Sequence, residues 1–143
     1  MQVIVQEAPF DPGLILSGLS IGGAGAVVTF TGLVRGDGGM TGMEIEHYAG
    51  MTERAIGAMM KEATTRWTLT DSLVIHRFGR LLVGEPIMMV VTASVHRVAA
   101  FEAAEFLMDY LKSRAPFWKK ELGPDGATWV AAKDVDEAAL KRW

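Results

Sequence analysis

"SVHRVAAFEAAEFLMDYLKSRAPFWKKE", residues 94–121, decides most of how this chain is read. It opens on a His-Arg pair and closes on two lysines beside a Pro-Phe-Trp corner. Phe101, Ala104, Met108 and Leu111 recur at the spacing of a buried helical face, and Glu102, Glu105, Asp109 and Lys112 recur on another. Pro116 disfavours helix at Ala115, so the helix is expected to stop near Arg114. One long helix with cations at both ends is the expectation.

The flanking segments set the class. "MQVIVQ" (1–6) alternates apolar and polar residues and reads as a strand, and "DPGLILSGLSIGGAG" (11–25) holds a short helix that runs into glycines. "AVVTFTGLVR" (26–35), rich in β-branched residues, and the alternating "MEIEHYA" (43–49) read as strands. Met51, Ala55, Ile56, Met59, Met60, Ala63 and Trp67 make one face of a second long helix. "DSLVIHRFGRL" (71–81) and "PIMMVVTASV" (86–95) predict one strand each. After the central helix, "FWKKEL" (117–122) and "ATWVAA" (127–132) predict a hairpin, and "DVDEAALKRW" (134–143) a short last helix. The order β-α-β-β-α-β-β-α-β-β-α predicts an α+β fold with a mixed or antiparallel sheet. Residues 1–143 are expected to form a single domain of ordinary size.

Composition narrows the chemistry. The chain has no cysteine, which excludes a cysteine nucleophile, a persulfide carrier, an iron–sulfur cluster and a thiolate zinc site. Any sulfur handled here must arrive on a substrate or a partner. His47, His76 and His96 lie far apart and form no H-x-x-x-H pair, so neither a metal nor a cofactor is expected. A net charge of −3 argues against a nucleic-acid surface. No run approaches the roughly 20 apolar residues of a membrane span, and "MQVIVQEAPF" lacks a basic leader, so a cytoplasmic protein is expected.

Several motifs have plain explanations. "GGAGA" (22–26) precedes a strand rather than a helix and is a loop, and "RGD" (35–37) is a coincidence of spelling. Met59, Met60, Met88, Met89 and Met108 fit core positions, and Glu44 and Glu46 form the solvated face of a strand. Arg35 ends a strand at a glycine-rich loop, either as a ligand-binding cation or as an exposed arginine. His96 and Arg97 begin a helix, where free N–H groups and the helix dipole attract anions; the alternative is a plain capping histidine. Lys112 either serves a site or pairs with Asp109, worth about 0.3 kcal/mol. Lys119 and Lys120 are either edge-strand charges or ammonium groups desolvated by the Pro116-Phe117-Trp118 corner. "FWKKEL" as an exposed strand edge offers a place for a partner to add a strand. Arg97 and Lys112 stand roughly 22 Å apart on one helix, so a shared small ligand requires two chains: a symmetric dimer with composite sites is expected.

Five stretches, in order, resemble the large, catalytic subunits of molybdopterin synthase: "VTFTGLVRG" (28–36), "EIEHYAGMTERA" (44–55), "VIHRFGRLLVGE" (74–85), "HRVAAFEAAEFLMDYLKSRAPFWKKE" (96–121) and the terminal "KRW". The chain departs from the family in a short loop after Arg35, in Ala49 where proline is frequent and in Lys133 where arginine is common. The resemblance implies an α/β hammerhead-type fold with an added β-rich subdomain. It implies a sulfurtransferase that converts cyclic pyranopterin monophosphate (precursor Z) into the dithiolene of molybdopterin, in molybdenum cofactor biosynthesis. The sulfur would come as a C-terminal Gly-Gly thiocarboxylate on a small ubiquitin-like sulfur-carrier subunit. A homodimer of large subunits within a heterotetramer is implied as well. By position, the family's substrate contacts fall on Leu33, Val34 and Arg35, on His96 and Arg97, and on Lys112, Lys119, Lys120 and Glu121. Arg35, His96 and Arg97 would take the phosphate and pterin side, with Lys112 and Lys119 the catalytic candidates. The competing reading is a non-catalytic module that docks a ubiquitin-like tail.

Overall fold

A computed structural model gives the fold and describes residues 1–131 and 133–143. Among the described residues, eight strands form two sheets. The first contains β1 (Gln2–Gln6), β4 (Asp71–Arg77), β6 (Pro86–Ser94) and β2 (Ala26–Leu33) in that spatial order. β1 runs parallel to β4, and the other pairs are antiparallel. The second is wholly antiparallel, in the order β5 (Gly79–Leu82), β3 (Gly42–His47), β7 (Phe117–Gly123), β8 (Gly126–Trp129). The expected mixed and antiparallel α+β arrangement is what forms.

Helices α2 (Met51–Trp67) and α3 (Arg97–Ser113) cover one face of the first sheet. Ile56, Met60, Ala63, Phe106, Leu107 and Leu111 pack there with Val74, Met88 and Val90. Burying a side chain of this size is worth about 1.5–3 kcal/mol, so this apolar seam holds the helices down. The opposite face, with Leu73, Ile75, Met89 and Val91, is covered by Phe10, Leu19 and Ile15 of α1 (Pro12–Ser17). Asp11 starts α1 by accepting hydrogen bonds from the backbone N–H groups of Gly13 and Leu14 at 2.9 and 3.2 Å. A third, smaller core of Val34, Ile45 and Leu81 joins the two sheets, with Phe78 and Phe117 against it. After β8 the chain forms α4 (Asp134–Ala139) and a 3-10 turn (Leu140–Arg142) that packs on α3. Ala132, the last residue of the expected "ATWVAA" strand, lies outside the described residues.

Three expectations are corrected. Residues 71–81 are two strands in different sheets, because Gly79 has φ +83° and turns the chain out of the first sheet. A Cβ at Gly79 would come within 3.0 Å of the Glu7 side chain. The corner is pinned by buried Arg77, whose guanidinium donates to Glu7 O at 3.0 and 3.1 Å and faces Glu85 at 3.3 Å. Second, Phe101 is 61% exposed; the buried face of α3 runs through Ala100, Ala103, Ala104, Leu107 and Leu111 instead. Third, "FWKKEL" is no free edge, since β7 lies between β3 and β8. Among the described residues no helix is long and apolar enough to cross a membrane.

Candidate active site

Side chains alternate across a strand, so Lys119 and Lys120 of β7 must face opposite ways. Pairing with β3 decides which way each faces. Phe117 lies opposite His47, and Lys119 opposite Ile45, so Lys119 shares the inner face with Phe117 and the joint core. Lys120 takes the outer face, where its ammonium stands 3.6 Å from Glu46 and 4.3 Å from the centre of the Trp129 ring. Trp118 shares that outer face and meets Tyr48 edge-on at 4.9 Å.

Two imidazoles flank Phe117 beneath Lys119. His76 of β4 is 1% exposed and stacks flat on the phenyl ring, 3.7 Å between centroids and 16° between planes. Its Nδ1 lies 2.8 Å from the Arg77 carbonyl oxygen, which only accepts, so Nδ1 carries the proton. His47 lies 6.2 Å from Phe117 and 4.3 Å from Phe78. Thr52 spends its hydroxyl proton on Tyr48 O at 2.9 Å, so His47 Nδ1 donates to Thr52 Oγ1 at 3.3 Å. Burial, reinforced by the nearby Lys119 ammonium, pushes His76 down from 6.5 to about 3. It is a neutral ring at physiological pH.

Lys119 is half-buried, and burial first of all, then the charge of Lys112, lowers its pKa below the ordinary lysine value. Asp136 opposes the shift and Lys133 adds to it. Three elements therefore converge here: β7 with Lys119, the last turn of α3 with Lys112, and the C-terminal segment with Lys133 and Asp136. That segment is stapled to α3 by Ser113 Oγ donating to Asp136 O at 2.9 Å and by Arg114 facing Glu137 at 3.1 Å. Lys112 does not pair with Asp109. Asp109 is held instead by Arg142 at 2.7 Å and by the Trp143 indole N–H at 2.6 Å. Two ammonium groups over an uncharged aromatic floor suit an anionic ligand, and a lysine with lowered pKa is a ready proton carrier or nucleophile.

The family model for the MoaE protein matches residues 5–114, most of the chain. This chain belongs to the MoaE family. A molybdopterin synthase catalytic subunit from Cereibacter sphaeroides is 64% identical over 146 residues, covering all of both chains. The solved MoaE protein of Burkholderia ambifaria superposes with a TM-score of 0.85 at 45% identity, covering 99% of this chain and 97% of that one. A chain from the complex of subunits 1 and 2 of molybdopterin-converting factor from Helicobacter pylori shares the fold, with a TM-score of 0.80 at 19% identity over 92% and 91% of the two chains.

The MoaE match ends at Arg114, short of β7, whereas the Cereibacter sphaeroides relative spans Lys119 as well. The other expected site residues are dispersed. β2 runs antiparallel to β6, with Ala26 opposite Ser94 and Leu33 opposite Pro86. α3 leaves β6 at Ser94 and packs back across the sheet, so Leu33, Val34 and Arg35 stand at its Lys112 end. Leu33 is 54% exposed, whereas Val34 is buried, with its N–H given to Glu85 O and its carbonyl accepting from Gly84 N. Arg35 is exposed and 3.6 Å from Asp37, a solvated contact of little energy. Glu121 is exposed on β7. His96 and Arg97 are exposed at the far end of α3, with Arg97 roughly 22 Å along the helix from Lys112. Within this one chain they do not join Lys112 and Lys119. His47 and His76 carry no metal-ligand spacing and stand at no helix start, so nothing local marks them as site residues; for His76 the available signal was "HRFG" (76–79) ahead of a turn.

Proposed function

We propose that this MoaE chain acts as the catalytic subunit of a molybdopterin synthase, a cytoplasmic sulfurtransferase, with residues 1–143 working as one domain. It moves sulfur from the C-terminal thiocarboxylate of a small ubiquitin-like subunit onto cyclic pyranopterin monophosphate, making the dithiolene. In each transfer the thiocarboxylate sulfur bonds to a substrate carbon as that carbon's C–O bond breaks, the oxygen leaving as water or staying on the phosphate as its ring opens. Cleavage of the acyl–sulfur bond by water then returns the tail as a carboxylate. The observation that carries this reading is the half-buried Lys119, its pKa lowered by burial and by Lys112, at the end of α3. An ammonium beside the tail's carbonyl stabilises the oxyanion that forms as the acyl–sulfur bond breaks, an effect worth about 3–4 kcal/mol in a water-poor site. Lys112 adds a second cation for the tail or the substrate phosphate.

His96 and Arg97 enter through a second copy of the chain. Their separation from Lys112 supports this, as do Val95, Val98 and Phe101, which leave an apolar surface 55–61% exposed beside them. Two large subunits with a small subunit on each make the heterotetramer. The test is single-turnover conversion of precursor Z by purified chain and thiocarboxylated small subunit, with Lys112→Ala and Lys119→Ala alongside. Dithiolene from the wild type and loss in both variants is expected. Near-normal turnover in both would overturn the assignment, and no product from wild type despite tight partner binding would leave a docking module.

A further inference from the structure

The sulfur-transfer reading uses the lysines and leaves the rings beneath them without a task. We propose that His76 is a positioning residue for Lys119, its ring forming an uncharged floor under Phe117 that fixes where the lysine side chain leaves β7. The inference rests on Lys119 being the reacting group.

The geometry is specific. Phe117 and Lys119 lie two residues apart on one face of β7, so the seat of the phenyl ring sets the origin and direction of the lysine. That seat is His76, stacked at 3.7 Å and 16°. His76 is itself immobilised: it is 1% exposed, its Nδ1–H is given to the Arg77 carbonyl, and the Arg77 side chain is locked to Glu7 and Glu85. His47, held by Thr52, closes the other side. The charged and titratable groups around Lys119 are Lys112 from α3, Lys133 and Asp136 from the C-terminal segment, His76 from β4 and His47 from β3. An imidazolium in that company would add a cation to a cluster already rich in them. The neutral ring leaves Lys119 half-desolvated without repelling an anionic ligand, and a histidine also satisfies a buried carbonyl that phenylalanine would leave bare.

Two variants separate ring from donor. His76→Phe keeps the stack and removes the N–H, whereas His76→Asn keeps a donor and removes the ring. Competitive acetylation of the full chain across pH, with Lys119 followed by mass spectrometry, reads the lysine without any turnover. Single-turnover rates with the thiocarboxylated small subunit read its placement. In His76→Asn the Lys119 labelling midpoint is expected to move to higher pH as water enters. The rate is expected to fall about 10–100-fold, with half-saturation by precursor Z unchanged within about 2-fold. In His76→Phe the midpoint stays and the rate remains within about 3-fold of wild type. A folded His76→Asn with wild-type midpoint and rate overturns the proposal, as does a folded His76→Phe that behaves like His76→Asn. Should both variants misfold, nitrogen-15 NMR of the wild type decides. An imidazole that stays in the Nδ1–H form from pH 8 to about 5 supports the floor, and one that titrates near its ordinary value of about 6.5 overturns it. Wild-type Lys119 labelling at depressed pH together with normal turnover in Lys119→Ala would instead refute the catalytic role of the lysine and leave the floor standing.

Discussion

At its start, α3 presents His96 and Arg97 on open surface beside Val95, Val98 and Phe101, all of them exposed. At its end, Lys112 stands next to a half-buried lysine over stacked phenyl and imidazole rings. The same helix thus carries cations in two dielectric regimes. A charge facing water is screened within about 10 Å and holds a small anion weakly, whereas one in a poorly solvated site acts strongly and titrates out of its ordinary range. In the proposed reading the second end is one half of the site, and the first acquires comparable strength only when another surface covers it. Adjacent Lys119 and Lys120 repeat the contrast over one residue, since Lys120 is already engaged by Glu46 and Trp129.

The largest test of that contrast is Lys119→Ala against Lys120→Ala in single-turnover assays. About a 10²–10³-fold loss is expected for the first and less than about 3-fold for the second. Equal losses would erase the distinction between the two faces of β7. Next, Arg97→Ala is expected to slow turnover about 10–100-fold by removing a bidentate anion contact. Co-refolding it with Lys119→Ala should restore about a quarter of wild-type activity, because half of the dimers are then mixed and each holds one intact site. No recovery would place both ends of α3 in separate sites.

A smaller effect concerns acid stability. His76 is held neutral in the folded chain, so the unfolded chain takes up the extra proton below pH 6.5. This group therefore costs up to about 1.4 kcal/mol of stability per pH unit as pH falls from 6.5 toward about 3, and nothing above pH 6.5. Urea melts of wild type and His76→Phe should differ by that slope; parallel curves would show that the ring is protonated in the fold. The least effect is expected for Lys119→Met at neutral pH. Because the folded state lowers the lysine's pKa, its charge opposes folding until pH rises through the window between the lowered value and 10.5. Removing it should raise Tm at pH 7, and a lowered Tm would mean that the ammonium stabilises the fold.

Much of the architecture was legible along the chain. Pro116 and the 3.6-residue period bounded α3 to within a residue, alternation found β1 and β3, and an apolar run after the Gly-Glu-Pro turn found β6. Two misreadings share one cause. Residues 71–81 look like a single strand because every residue but glycine suits one, and only the contact with Glu7 shows why the chain turns at Gly79. Phe101 looks buried because apolar spacing marks a face without saying what covers it. Lys112 and Lys119 were legible as candidates from their aromatic setting. Their convergence was not, because it depends on α3 returning across the sheet and on β7 pairing with β3.

The sequence by itself determined the helices, the mixed α+β class and, through its lack of cysteine, that any sulfur handled here comes from outside the chain. Period-two alternation even required Lys119 and Lys120 to diverge. Only the tertiary structure decided which lysine turns inward and that a neutral histidine lies beneath it. Periodicity is a local property of the backbone, whereas desolvation and stacking depend on elements distant in sequence meeting at one place.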